Sequence, residues 1–237
     1  MKICAYGMTD KGMRRSRNED SLFVDNLNRI YAVADGLGGL PRGALASSLA
    51  IRKLEELVLN PRFKRHIDYQ KLFSEINMEV LSEGAKVSPE IGMGTTLTMA
   101  HINNDTLHIA HAGDSCLYLV RAGNIRKMTA EHTAAERERS RLPKEQHHTI
   151  PDYLSHELTC CIGLDENIKI DNSDVTLVRG DRLVICSDGV TKTLTDEQLC
   201  EIVKSEPTPD KCAHKIIDTG NANGGPDNIT AIVIHCD

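Results

Sequence analysis

Apolar positions along the chain follow two rhythms, and the changes between them mark the predicted elements. The first third gives short, largely apolar runs that read as strands at about 2–8, 21–25 and 30–35. A helical rhythm follows. Ala46, Ala50, Leu54 and Leu57 are spaced by four, four and three residues, and Asn60-Pro61 ends that helix. In a second helix Asp68 is the N-cap, Leu72, Ile76 and Val80 form the apolar stripe, and Gly84 is the expected close.

Beyond these helices the period returns to two. "TTLTMAHI" and "TLHIAHA" flank a turn at Asn103-Asn104-Asp105, and "SCLYLV" runs into a turn at Ala122-Gly123-Asn124. Residues 131–157 break the pattern: they are highly charged, lack a sustained apolar face and read as an exposed excursion. "VTLVRGDRLVICSDG" is predicted to be a hairpin turned at Arg179-Gly180-Asp181. A capping box, Thr195 with Gln198, opens one helix. Thr208 with Pro209 opens another, which Gly220 is expected to end, and "NITAIVIH" is the last strand. Strands thus come in adjacent pairs and helices in blocks, an α+β pattern of antiparallel sheets with helices packed outside.

Four carboxylates interrupt this scheme at similar places. Asp35 follows "IYAVA", Asp114 follows "LHIAHAG", Asp188 follows "RLVICS", and Asp227 sits in "GGPDNITAIVI" just before a strand. Each lies within two residues of a glycine. Taken singly, each is an ordinary turn, because Asp and Gly are favoured there. Alternation puts Asp35 on the face of Tyr31 and Val33, and Asp188 on the face of Val184 and Cys186. Both strands are apolar on both faces, so they are expected to be internal, with their terminal carboxylates partly desolvated.

The energetics of gathering such groups are restrictive. Two unit charges about 4 Å apart repel by roughly 4 kcal/mol at an effective dielectric of about 20. Three carboxylates in mutual contact then cost on the order of 12 kcal/mol, comparable to a domain's net stability of roughly 5–15 kcal/mol. Such a cluster requires cations. Oxygen-only donors, with no His or Cys at ligand spacing, point to Mg²⁺ or Mn²⁺ rather than zinc. On this reading the glycines keep space open for a backbone carbonyl or a water to reach the metal.

Composition narrows the function classes. The 237 residues, 40 % hydrophobic and 26 % charged, suit one globular domain spanning 1–237. A net charge of −6 and only three Phe, five Tyr and no Trp argue against a nucleic-acid partner. No stretch has the length of a transmembrane helix, and the first apolar run is too short for a signal peptide, so a cytoplasmic protein without membrane association is expected. Eight scattered cysteines with no CxxC read as reduced thiols. None is followed at the spacing of a cysteine-nucleophile phosphatase loop by arginine; Cys116 and Arg121 are one residue short.

Six strings, taken in order, resemble the metal-dependent protein phosphatases of type 2C over essentially the whole chain. They are "TDKGMRRSRNED", "VADGLGGLPRGALAS", "GMGTTLT", "AHAGDSCLYLVRAGNIRKMTAEHT", "GDRLVICSDGV" and "GGPDNITAIVI". The resemblance is to bacterial single-domain members. It implies a four-layer αββα sandwich, two packed antiparallel β-sheets flanked by helices, with a binuclear Mg²⁺ or Mn²⁺ centre at one end and a flap at about 131–157. By position, Asp35 would bridge both metals and the Gly36 carbonyl would bind one of them, while Asp188 and Asp227 complete the other. Asp114 matches a position for a third, weaker metal, and Glu19 and Asp20 match acidic positions acting through water. Arg15, three residues before Asn18, matches the arginine that holds substrate phosphate. Arg15, Asp35 and Asp188 are therefore the expected catalytic residues.

The implied activity is hydrolysis of phosphoserine and phosphothreonine in proteins by metal-activated water, reversing a Ser/Thr kinase, by a monomer. Two other readings use the same fold: an inactive phosphoprotein-binding regulatory module, which should lack metal aspartates that are all present here, and a phosphatase of the anti-sigma-antagonist type, with more degenerate motifs. The chain departs from the family where many members carry a histidine after Asp-Gly, a position held here by Leu37. "AEHT" replaces a more usual Asp-His pair, and Cys116 stands where arginine is common. Arg14, Arg17 and "RERSR" read as solvated charge, and His101, His108 and His111 as surface or packed strand residues.

Overall fold

Among the residues that the computed structural model describes, 1–38, 40, 42–60 and 67–237, the chain forms ten strands and six α-helices. The strands are β1 (Ile3–Asp10), β2 (Asp20–Asp25), β3 (Ile30–Asp35), β4 (Leu97–Asn103), β5 (Thr106–Ala112), β6 (Cys116–Arg121), β7 (Asn124–Lys127), β8 (Asp171–Thr176), β9 (Arg182–Cys186) and β10 (Ile229–Cys236). They build two five-stranded sheets, β1-β10-β9-β6-β7 and β2-β3-β4-β5-β8, antiparallel throughout. The helices are α1 (Gly43–Leu59), α2 (Tyr69–Val87), α3 (Ala134–Arg139), α4 (Asp188–Thr191), α5 (Asp196–Ser205) and α6 (Pro209–Ala222).

Three apolar layers follow from strand alternation. Tyr31 and Val33 of β3, Ile109, Leu117, Leu183, Ile185, Ile232 and Ile234 meet between the sheets. The opposite face of the second sheet, with Ala32, Met99 and Ala110, takes Leu54 of α1 and Leu72, Phe73 and Ile76 of α2. The opposite face of the first, with Val184, Cys186 and Val233, takes Val203 of α5 and Ile216 and Ile217 of α6. Each sheet buries both faces, so β3, β9 and β10 are internal, as their two-sided apolarity requires. The architecture is the expected four-layer αββα sandwich.

Several elements match the sequence expectation in detail. The α1 stripe is buried, and Asp68 caps α2 by accepting from the Lys71 amide at 3.0 Å. The Thr195–Gln198 capping box is complete, with bonds of 3.0 and 3.3 Å. α1 ends at Leu59 with Asn60 as its cap; Pro61, like Gly39 and Pro41, lies outside the described residues. All eight cysteines are free thiols.

Others differ. Gly84 does not close α2, which runs on to Val87; a side chain at Gly84 would lie 3.2 Å from the Met93 backbone nitrogen, so close packing accounts for the glycine. Gly220 likewise sits inside α6, packed against Ile229. Thr208 stands at the cap of α6 without a side-chain capping bond. Residues 171–186 are not a hairpin: β8 pairs with β5 and β9 with β6 and β10, so 177–181 crosses from one sheet to the other. That crossing is pinned by Asp181, which is buried and accepts from Arg121 at 2.8 and 2.6 Å and from the Val178 amide at 2.8 Å. Within 131–157 the chain forms α3 and two 3₁₀ turns, Lys144–Thr149 and Asp152–His156, anchored by buried Thr133, Ala134 and Ala135.

Candidate active site

Acidic residues arrive at one end of the sandwich from both sheets. Asp20 opens β2 and lies opposite Asp35, the last residue of β3. Asp114 sits in the crossing from β5 to β6, Asp188 begins α4 directly after β9, and Asp227 precedes β10. A cleft of about 580 Å³ opens here, lined by Arg15, Glu19, Asp35, Gly36, Leu37, Asp114, His156, Asp188, Lys192 and Asp227, among others. This is an ordinary size for a small-molecule site.

The backbone beneath these carboxylates is held tightly. The Asp35 amide donates to Thr96 Oγ1 at 2.9 Å, and its carbonyl accepts from Thr95 Oγ1 and the Thr96 amide, both at 2.8 Å. Gly36 donates its amide to the Glu19 carbonyl at 3.1 Å. A Cβ at Gly36 would fall 2.3 Å from the Gly43 carbonyl oxygen, and one at Gly189 would fall 1.8 Å from that of Asn228. The missing side chains at these two turns are thus replaced by neighbouring backbone rather than by open space above the carboxylates. Glycine is needed so that the segments bearing Asp35, Asp188 and Asp227 can approach one another.

Asp188 corrects the expectation from alternation. Val184 and Cys186 face the α5–α6 layer. Extrapolated, that register would carry Asp188 away from Asp35. The strand instead ends at Cys186, Ser187 turns the chain, and Asp188 enters a helix with its carboxylate in the cleft.

Crowding shows in the proton affinities. Burial, then the charges of Asp20, Asp188, Asp114 and Asp227, hold the Asp35 carboxyl well above the usual carboxylate range. Burial, then Asp188, push Asp114 up to about 7. Burial lifts Asp20 to about 6, although its Oδ2 accepts from Ser187 Oγ at 2.8 Å and Thr230 Oγ1 at 2.6 Å. Burial also raises Asp188, with Lys192 acting against it. Asp227 goes the other way. Burial would raise it, but Lys192, Arg15 and the Asn228 amide outweigh that and hold it below the usual range.

The protein's own cations supply part of the balance. Arg15 grips Asp227 with Nε 2.8 Å from Oδ1 and a terminal nitrogen 2.9 Å from Oδ2. Lys192 Nζ lies 2.5 Å from Asp188 Oδ2 and 2.8 Å from Asp227 Oδ2. Two buried carboxylate oxygens, Asp20 Oδ1 and Asp188 Oδ1, have no hydrogen-bond partner. Oxygen-only donors, mutual repulsion and unpartnered buried oxygens are the properties that a hard divalent cation satisfies. As they stand, no three acidic, imidazole or thiol groups among the described residues are gathered closely enough to hold an ion.

Of the residues singled out from sequence, Arg15, Glu19, Asp35, Gly36, Asp114, Asp188 and Asp227 line the cleft, while Asp20 lies buried behind it on Ser187 and Thr230. Among the cleft residues that sequence reasoning missed are Lys192 and His156. The first had a signal, because Lys192 follows Asp188 by four residues, the spacing of an acid–base pair on one helix face, but no helix was expected there. His156 had none: it lies one residue before the end of the charged 131–157 segment, and only the tertiary fold brings it to the cleft.

A family model described as "Protein phosphatase 2C" matches residues 6–152 and 171–229. The serine/threonine phosphatase stp of Listeria monocytogenes is 31% identical over 97% of this chain and 94% of its own. Among solved structures, the serine/threonine phosphatase of S. agalactiae has a TM-score of 0.88 and 27% identity, covering 99% of this chain and 100% of that one. The catalytic domain of the serine/threonine protein phosphatase PstP, solved in complex with 2 manganese ions, has a TM-score of 0.80 and 28% identity, covering 98% of this chain and 97% of that one.

Proposed function

The chain belongs to the protein phosphatase 2C family, and on that premise we propose that it is a metal-dependent phosphatase that removes phosphate from serine and threonine side chains of proteins. Its substrates are phosphoproteins, and it acts as a cytoplasmic monomer, a single catalytic domain over 1–237, reversing a Ser/Thr kinase. No helix among the described residues is long and apolar enough to cross a membrane. The observation that carries the reading is the meeting of carboxylates from both sheets in one cleft that Arg15 also lines.

Asp35, the Gly36 carbonyl, Asp188 and Asp227 would hold two Mg²⁺ or Mn²⁺ ions, with Asp114 serving a third and Glu19 and Asp20 acting through water; the two manganese ions of PstP support this assignment. When bound, such ions polarise water and neutralise phosphoryl charge. The rest falls to the chain. Arg15 binds phosphate oxygens, where its planar fork matches two of them at once. The anchored Asp35 backbone fixes the floor, so that the acidic groups need not reorganise as charge develops. Leu37 has no proton to give a leaving alkoxide, and of the cleft's side chains His156 carries an imidazole suited to that transfer.

Hydrolysis of a phosphothreonine peptide tests this directly. Turnover is expected with Mn²⁺, is lost in EDTA and is lost in Asp188→Asn. A rate indifferent to Mn²⁺, or full activity in the variant, would overturn the proposal.

A further inference from the structure

Lys192 is a second cation in the cleft beside Arg15, and its contacts are specific. α4 turns once from Asp188 and is capped by Lys192, whose amide donates to the Asp188 carbonyl at 2.8 Å. The side chain folds back along that turn, so its ammonium bridges Asp188 Oδ2 at 2.5 Å and Asp227 Oδ2 at 2.8 Å. These two carboxylates come from separate segments, the start of α4 and the approach to β10, and they are the pair assigned above to one metal.

The ammonium is bonded to one oxygen of each carboxylate, Asp188 Oδ2 and Asp227 Oδ2, so a divalent ion drawing on those oxygens would have to displace it. A divalent ion held by both carboxylates would also repel the bridging lysine cation by like charge. Arg15 also pairs with Asp227, but its fork leaves Asp188 free; only Lys192 spans both. Asp114 also feels the charge of this lysine. The lysine side chain is 32% exposed, and its flexible stem gives the head group a route to solvent.

We propose that Lys192 is a tethered counter-ion for the Asp188–Asp227 pair: with Arg15 it balances the pair's charge in the metal-free chain and must swing away when a divalent ion binds, so it sets the metal affinity of this site. The inference rests on the metal-dependent reading above. It predicts a chain whose metal-free form is held together by its own cation and whose second ion binds more weakly than the acidity of the site alone would give. The device moves the protein's response to Mn²⁺ or Mg²⁺ to higher ion concentration.

The test is calorimetric titration of the metal-free chain with MnCl₂, with thermal melts in EDTA and in Mn²⁺, for wild type, Lys192→Met and Lys192→Arg. Lys192→Met is expected to bind Mn²⁺ at least about tenfold more tightly, to melt lower without metal and to gain more from adding it. Lys192→Arg retains the charge and should keep the weaker affinity. A lysine that merely stabilised the fold would lower the melting temperature without raising metal affinity, so equal or weaker Mn²⁺ binding by Lys192→Met overturns the inference alone. Lys192→Gln provides the same comparison if the methionine variant does not fold. Absence of Mn²⁺ uptake by the wild type would overturn the metal-dependent reading itself, and this inference with it.

Discussion

Replacing Asp114 by asparagine should stabilise the metal-free chain while removing an acidic group from the cleft. The carboxyl is partly buried, and burial and then Asp188 lift its pKa from an ordinary 3.8 to about 7. An acid whose proton affinity is higher folded than unfolded opposes folding once it must ionise. That penalty is absent below the unfolded pKa, grows as pH rises through 4 to 7, and is complete above the folded value. That rise in proton affinity, at about 1.4 kcal/mol per tenfold, sets a ceiling of about 4 kcal/mol. Relaxation around Lys192 and solvent in the open cleft reduce this, and about 2 kcal/mol is the expected gain at pH 8. Urea denaturation in EDTA, extrapolated linearly to water, measures it. Asp114→Asn should exceed wild type at pH 8, and the margin should shrink to less than half at pH 5, where the wild-type carboxyl is largely protonated when folded. Saturating Mn²⁺ should erase the advantage, because an ion that binds only the folded state stabilises the wild type more. A variant no more stable than wild type at pH 8 in EDTA would refute the reasoning.

Two further outcomes can be checked. Gly189→Ala should cost about 3 kcal/mol in urea denaturation, because the added methyl falls 1.8 Å from the Asn228 carbonyl oxygen, and should weaken Mn²⁺ binding by pushing Asp188 away from Asp227; wild-type stability and affinity would count against the close-approach account. Burial lowers His101 to about 4, His111 to about 3 and His235 to about 4, so the unfolded chain takes up these protons first and stability is lost as pH falls from about 6.5 toward 4. Replacing His111, whose imidazole is enclosed by Thr98 and the Ala130 carbonyl, with Gln should flatten that loss by up to about 1.4 kcal/mol per pH unit in urea titrations; an unchanged slope would show that this histidine does not contribute.

The strands carrying the acidic residues were legible because burial on both faces leaves an uninterrupted apolar run, and a carboxylate at its end is conspicuous. The positions of Asp35, Asp114, Asp188 and Asp227 could be read that way, and the layered architecture followed from the grouping of strands and helices. Pairing partners were less accessible. "VTLVRGDRLVICSDG" has the composition of a hairpin, yet the exposed β8 completes one sheet while β9 lies at the centre of the other, and the Arg121–Asp181 contact pins the chain where it crosses. Glycines misled at Gly84 and Gly220 because a helix stop and a close contact demand the same residue. Lys192 escaped notice because alternation was extended past the strand's end at Cys186: once Ser187 turns the chain, Asp188 and Lys192 become neighbours on a turn.

Asp20 belongs to the second sheet but is fastened by its Oδ2 to Ser187 and Thr230, which flank β9 and lie on β10 of the first. This rivet joins the two slabs at the end where their acidic groups face one another across the seam. The cleft's chemistry therefore depends on the spacing of the slabs. A void opened among Ile185, Ile232 and Val33, in the filling between them, would change how the Asp35 side of the seam meets the Asp188–Asp227 side without touching any of these carboxylates. Ion affinity in this protein should accordingly respond to how well its two halves are clamped together.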